Sequence, residues 1–506
     1  MRWSKYSFIL AGSLLVTGLA GCQSSVLTDS EQKSSEAEAS VDSDTSVKSI
    51  LSKEDITVEN SYDNSNDGEH AIEVDGEEVE YSNISVSKSG DSEGDESDFY
   101  GENATVFATN KATLTIKEAV IQSNGTHANG VFSYGEGTTI NISDSVIETT
   151  GNCSGGLMTT GGGTMNASNL TIHTTGNSSA AIRSDRGGGT VTVDGGSYTT
   201  DGTGSPVIYS TAAITVNDSS LESTASEGVV VEGKNSVTLN NCDLIADNNT
   251  KNSDKSDNYN AVMIYQSMSG DAAAGTASFT MNGGTLKNKN GDVFFVNNTA
   301  CDINLSNADI VNEDGSGVLL RAAAAGWGNE GSNGGKVNLT AQGQTISGNM
   351  VVDEVSVLNL YLKEDSSWTG AINTDGQKGD VYVELDDGST WTLTSDSYVS
   401  SLTCEEGSIN LNGHKLYVDG KEYEEGTAVS GEAIEIVSEN GDDSQMTPPD
   451  GNGPMGDGST PPEKPDGNGP MGDGSMPPEK PDGNGPMGDG STPPEKPDES
   501  NTSSPK

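Results

Sequence analysis

Three stretches decide the fold: Val191-Thr192-Val193-Asp194-Gly195-Gly196-Ser197-Tyr198, Ile214-Thr215-Val216-Asn217-Asp218-Ser219-Ser220-Leu221 and Val237-Thr238-Leu239-Asn240-Asn241-Cys242-Asp243-Leu244. Each reads apolar, polar, apolar, then four small or polar residues, then apolar. That is the pattern of a short strand, a bend and a second strand, with alternate side chains on one face. Five more copies surround them: Leu114/Ile116/Ile121, Ile140/Ile142/Ile147, Met165/Ala167/Ile172, Phe279/Met281/Leu286 and Ile303/Leu305/Ile310, with a weaker ninth at Val337/Leu339. Successive first members lie 23 to 26 residues apart, except for a step of 42 before Phe279 and of 34 before Val337. A coil of three short strands per turn needs about 22–26 residues at ordinary strand lengths. The reading is therefore all-β, a right-handed parallel β-helix. A sandwich would join neighbouring strands antiparallel and would not keep one period. Asp194, Asn217, Asn240 and Asn282 fall at one place, just after the second apolar residue. They are expected to take the left-handed backbone of the bend and to bond to one another along the axis.

Composition agrees. Of 506 residues only 31% are hydrophobic and 5% aromatic, with 64 glycines, too little for a large central core but enough for rungs that each bury a few side chains. The formal net charge of −52 excludes nucleic acid as a natural partner and is compatible with Ca²⁺ as a counterion, a solvated acidic exterior being the plainer account. Cys153, Cys242, Cys301 and Cys404 have no paired spacing, and His70, His127, His173 and His414 are scattered. No metal site is expected from them, and Cys242 and Cys301 read as buried thiols.

Residues 1–21 read as an export signal: Arg2 and Lys5, an apolar run from Phe8 to Leu19, too short to span a bilayer, and then Leu19-Ala20-Gly21-Cys22. The last four resemble the bacterial lipobox, which implies that Cys22 is acylated and anchors the mature chain to a membrane from the extracytoplasmic side. Residues 22–53 read as an acidic flexible tether, 54–437 as the β-helix, and 438–506 as a Pro/Gly/Met tail in which Pro449-Asp450-Gly451-Asn452-Gly453-Pro454 recurs from Pro465 and Pro481.

Each rung also carries an earlier apolar strand, as in Ser184-Asp185-Arg186-Gly187-Gly188-Gly189-Thr190 and its preceding Ile182-Arg183, or Gly228-Val229-Val230-Val231-Glu232-Gly233. On these segments and the triplets, the chain from about Val74 to Val437 resembles the pectin-lyase-like right-handed parallel β-helix superfamily, particularly adhesin-like lipoproteins of Gram-positive anaerobes. The resemblance implies fold and surface location more firmly than chemistry, since the fold hosts lyases, hydrolases, binding modules and adhesins.

If the first and third residues of these strands face inward, one outward row reads Phe132, Arg183, Val230, Met263, Phe294, Leu319 and the other Tyr134, Asp185, Glu232, Tyr265, Val296, Arg321. The first row is too apolar to stay bare. Either a ligand, a partner or the chain's own loops, at 269–276 and 322–335, covers it. A binding reading uses Tyr265, Phe294 and Trp327 to stack on sugars and Arg321 to meet carboxylates, on a polysaccharide or a host or neighbour-cell glycan. An enzymatic reading, a lyase or glycoside hydrolase, uses Arg183, Asp185 and Glu232, whose carboxylates stand two rungs, about 9–10 Å, apart. No catalytic motif of the superfamily maps onto the chain, so the first reading is preferred. A third reading makes the coil a spacer.

Overall fold

The computed structural model describes residues 50–436 with the exception of 377. The residues read as an export signal, Cys22, the expected tether as far as residue 49 and the Pro/Gly repeats lie outside the described residues. The last residues of the expected tether are not free, since Leu51 packs on Val120 and Val146 and Lys53 pairs with Glu148 at 2.8 Å. Within them the chain winds as a parallel β-helix with three strand faces per rung. Face 1 is an eleven-stranded sheet whose strands follow one another in chain order, from Ile72–Asp75 to Asn349–Val352. Faces 2 and 3 share a seventeen-stranded sheet in which some strands are separate, as in Ala213–Asn217 and Ser220–Ser223, and others run through the bend, as in Ser236–Ala246.

The triplets stack as the period requires. Leu114, Ile140, Met165, Val191, Ile214, Val237, Phe279 and Ile303 pair successively in parallel register. Their third members, from Ile121 to Ile310, do the same on face 3. All face inward into one apolar cluster that runs the length of the coil. The ninth copy is displaced: Leu339, not Val337, lies on Ile303, because Cys301 supplies an extra inward position ahead of it. Further rungs, with more irregular spacing, precede and follow the eight, as Val79/Tyr81/Val86 and Leu358/Leu360/Leu362. In the last rungs face 3 is filled by Trp368 and Trp391, stacked with centroids 4.5 Å apart, and each indole N–H donates to a carbonyl of the preceding rung.

The expected polar ladder exists. Asn217 Nδ2 donates to Asp194 Oδ1 (2.6 Å), Asn240 to Asn217 (2.8 Å) and Asn282 to Asn240 (2.9 Å). Its backbone assignment needs correction: the left-handed residue is the next one, Asp218 or Asn241, or Gly195 and Gly283 in the flanking copies. The ladder residue ends the first strand, and the bend follows it.

The corner between faces 3 and 1 is built differently. Gly125, Gly151, Gly176 and Gly202 form a column in which a Cβ on any of them would overlap the carbonyl of the glycine one rung earlier. Beside it Thr149, Thr174 and Thr200 donate to the carbonyls of Ser154, Ser179 and Ser205, whose own hydroxyls donate to the column glycines Gly125, Gly151 and Gly176. Short polar side chains thus satisfy a buried backbone that has no ladder partner there.

At the far end the parallel winding stops. Leu416–Val418 turns back on Lys421–Glu422 in an antiparallel pair, and Cys404 makes an antiparallel bridge to Val429. The chain then returns along face 2, where Ile434 exchanges two hydrogen bonds with the Asn359 side chain. Cys242, Cys301 and Cys404 are buried, and burial pushes the Cys242 thiol up to about 11.

Candidate functional site

The outward row of face 1 runs Phe107, Phe132, Met158, Arg183, Tyr209, Val230, Met263, Phe295, Arg321 and Val351. This corrects the expected row at its far end. Phe294 pairs with Val262 and points inward, fully buried against Phe279 with centroids 5.7 Å apart, so it meets no ligand. Phe295 takes the outward place, and Arg321 follows it in the same row instead of the other. The run Val293-Phe294-Phe295-Val296 is apolar on both faces, so it carries no alternation from which the phase could be read.

Arg183 divides this row into two apolar patches. The first, Phe107, Phe132, Met158 and Tyr134, is covered by helix α1 (Asp95–Tyr100), whose Tyr100 ring lies edge-on to Tyr134 at 5.6 Å. The second, Val230, Met263 and Phe295, is flanked by Tyr209, Tyr265 and Trp327 and partly roofed by the chain after Arg321. Self-coverage is therefore real but incomplete. A cleft of about 180 Å³ remains over Val230 and Met263, walled by residues 248–259.

Trp327 and Tyr265 meet edge to face at 5.2 Å, and the Lys255 ammonium sits 5.6 Å from the indole centroid. Asn333 fixes the Trp327 loop by donating to the carbonyls of Ala325 and Trp327, and Gly326 N–H donates to the Lys255 carbonyl, joining the two loops (2.7 Å). Tyr209 and Tyr265 both donate to the buried Glu232 carboxylate, as does Ser267. Burial, reinforced by the nearby acidic charges, raises both phenols well above their ordinary range, so they remain donors.

The other expected residues are placed as follows. Arg183 Nη2 donates to Asp185 Oδ2 at 2.8 Å, and Asp185 is buried, which raises its pKa against the opposing pull of Arg183. Arg321 forks onto the buried Asp292 through Nε (2.6 Å) and Nη2 (3.3 Å) and does not line the cleft. Arg186 lies over the Phe99 ring at 3.8 Å and pairs with Asp271. Of the binding candidates, Tyr265 and Trp327 come together and Phe294 and Arg321 do not join them. Glu232 and Asp185 each have their oxygens occupied by donors from the chain.

Two features escaped the sequence reading. Tyr209, on the short strand Ile208–Ser210, stands in the row directly after Arg183 and was legible from its offset alone. The wall at 248–259, a thirteen-residue polar stretch with its flank at Asp247, accounts for much of the long step before Phe279. A third departs from expectation outright: His127 and Cys153, apart in sequence, fall at the same corner of consecutive rungs, beneath Asp98 of α1. His127 Nδ1 lies 2.7 Å from Asp98 Oδ1, and this bond, with Cys153, lifts the imidazole to about 9. No family model, no curated protein and no solved structure matches the chain.

Proposed function

We propose that the β-helix is the glycan-binding body of an exported, lipid-anchored surface protein of the pectin-lyase-like superfamily, and that the cleft beside Tyr265 binds the sugar without cleaving it. The observation that carries this reading is the convergence of Tyr209, Tyr265 and Trp327 on one open cleft of about 180 Å³ over a rigid sheet. Aromatic faces stack on the C–H side of a pyranose, and a fixed sheet spares the ordering cost that loops would add on binding. Polar contacts come from the lining of the wall, Asn252, Asn258 and Lys251, the last suited to a uronate carboxylate. Non-catalytic binding is favoured because Asp185 is tied to Arg183 and Glu232 accepts three hydroxyl donors, so neither stands ready as acid or base.

A glycan array followed by calorimetry on the best neutral and uronate oligosaccharides tests it. Replacing Tyr265 and Trp327 together by alanine is expected to weaken binding at least about tenfold with the fold intact. Unchanged affinity in that double variant, or no glycan bound by the parent chain, overturns the reading.

A further inference from the structure

We propose that Asp98, His127 and Cys153 form a binding site for a borderline-soft divalent metal ion, Zn²⁺ fitting best, which pins helix α1 onto the coil. One carboxylate oxygen, one imidazole nitrogen and the thiol sulfur all lie within 4.8 Å of one another, a separation that a single ion at bond lengths of about 2.0–2.3 Å closes with small side-chain movements. The donor set discriminates. Ca²⁺ and Mg²⁺ require six or so oxygens, and only one carboxylate is present, whereas nitrogen plus thiolate plus carboxylate suits zinc with a fourth position left open.

The three ligands come from three segments that nothing in the local sequence joins. Asp98 descends from α1, while His127 and Cys153 occupy one position of the corner in consecutive rungs, their backbones held by His127 N–H to Asn152 O (2.9 Å) and Cys153 N–H to Asn177 O (2.8 Å). A second observation is independent of that proximity. Both residues sit in the left-handed region, with φ of 56° and 54°, where glycine and asparagine are the natural occupants, and the next two rungs place Ser178 and Gly204 there. Histidine is also tolerated in that region, so backbone preference accommodates His127 but does not select the Cys153 thiol. Imidazole and thiol stand there only in the two rungs that lie under Asp98. Cys153 is also the one described cysteine that is not buried.

The experiment uses the full-length chain, freed of metal with a chelator and titrated with Co²⁺ alone and then with Zn²⁺. The expected result is one equivalent of Co²⁺ with a thiolate-to-metal charge-transfer absorption, displaced by Zn²⁺ and untouched by excess Ca²⁺. Bound Zn²⁺ should also protect Cys153 from alkylation, read on its own peptide by mass spectrometry. Cys153→Ser, on a partly exposed corner, should fold normally and lose the absorption. His127→Gln should weaken binding at least about tenfold. Absence of a thiolate band in the parent chain overturns the proposal and leaves a hydrogen-bonded His127–Asp98 pair beside a free thiol. A band that survives in Cys153→Ser overturns it equally, by assigning the metal to another cysteine.

Discussion

Gly176→Ala should lower the stability of the coil by about 3 kcal/mol or more, seen as a large fall in the midpoint of chemical or thermal unfolding. A Cβ on Gly176 would lie 1.8 Å from the Gly151 carbonyl oxygen, and one on Gly202 would lie 1.8 Å from that of Gly176. An added methyl group would overlap backbone atoms, which have no rotamer to change. Since strands stack at about 4.8 Å, the rungs can separate only by breaking the parallel ladders on either side. The dihedrals at Gly176 are not in the left-handed region, so space alone forbids the side chain, and asparagine should be no better tolerated than alanine. Gly315→Ala, where nothing lies within 4 Å of the new atom, is the matched control and should stay within about 0.5 kcal/mol of the parent. A Gly176→Ala protein that unfolds with the control would show that backbone contact does not set the spacing of this corner.

Arg183→Ala should cost about 3–5 kcal/mol near neutrality, and the loss should shrink in mildly acidic solution. Arg183 is the charge partner of Asp185, whose carboxyl is buried in the divide between the two apolar patches and retains only the Arg186 N–H once the guanidinium is gone. The sign follows from linkage. Burial raises the folded-state pKa of Asp185 above its unfolded value even with Arg183 present, so the favourable contribution exists below the unfolded pKa and is lost as pH rises through the folded one. Removing the guanidinium raises the folded pKa further and widens that window. Unfolding curves of the parent and variant across pH measure it. Adding Asp185→Asn to Arg183→Ala should recover part of the stability and flatten the pH dependence, and a deficit of Arg183→Ala that does not change with pH would contradict this account.

The fold was legible because the inward triplets obey two rules at once, period 2 within a strand and a near-constant interval between rungs, and eight of them stack as read. Reading failed where one rule lapsed. Phe294 and Phe295 are both apolar and both buried, one inside the coil and one beneath its outer cover, so hydrophobicity could not tell them apart. Asn240 and Asn241 are chemically identical neighbours, and only the backbone shows that the second makes the bend while the first makes the ladder. Tyr265 and Trp327 were recoverable because each sits beside a visible interruption of the period. The assembly of Asp98 with His127 and Cys153 was not, since the rung alignment that joins the last two passes through a corner of glycine, serine and threonine with no apolar marker.

The antiparallel turn at Leu416–Val418 and Lys421–Glu422 closes one edge of the winding against a further parallel strand. A parallel coil that simply ended would present a row of unused amide and carbonyl groups, and another molecule could stack there and lengthen it into a fibre. Here the last strand of one sheet reverses and the chain folds back toward Asn359, so on that edge a newcomer would meet a strand of the wrong polarity. The last described strand thus closes one edge of the coil against further parallel pairing.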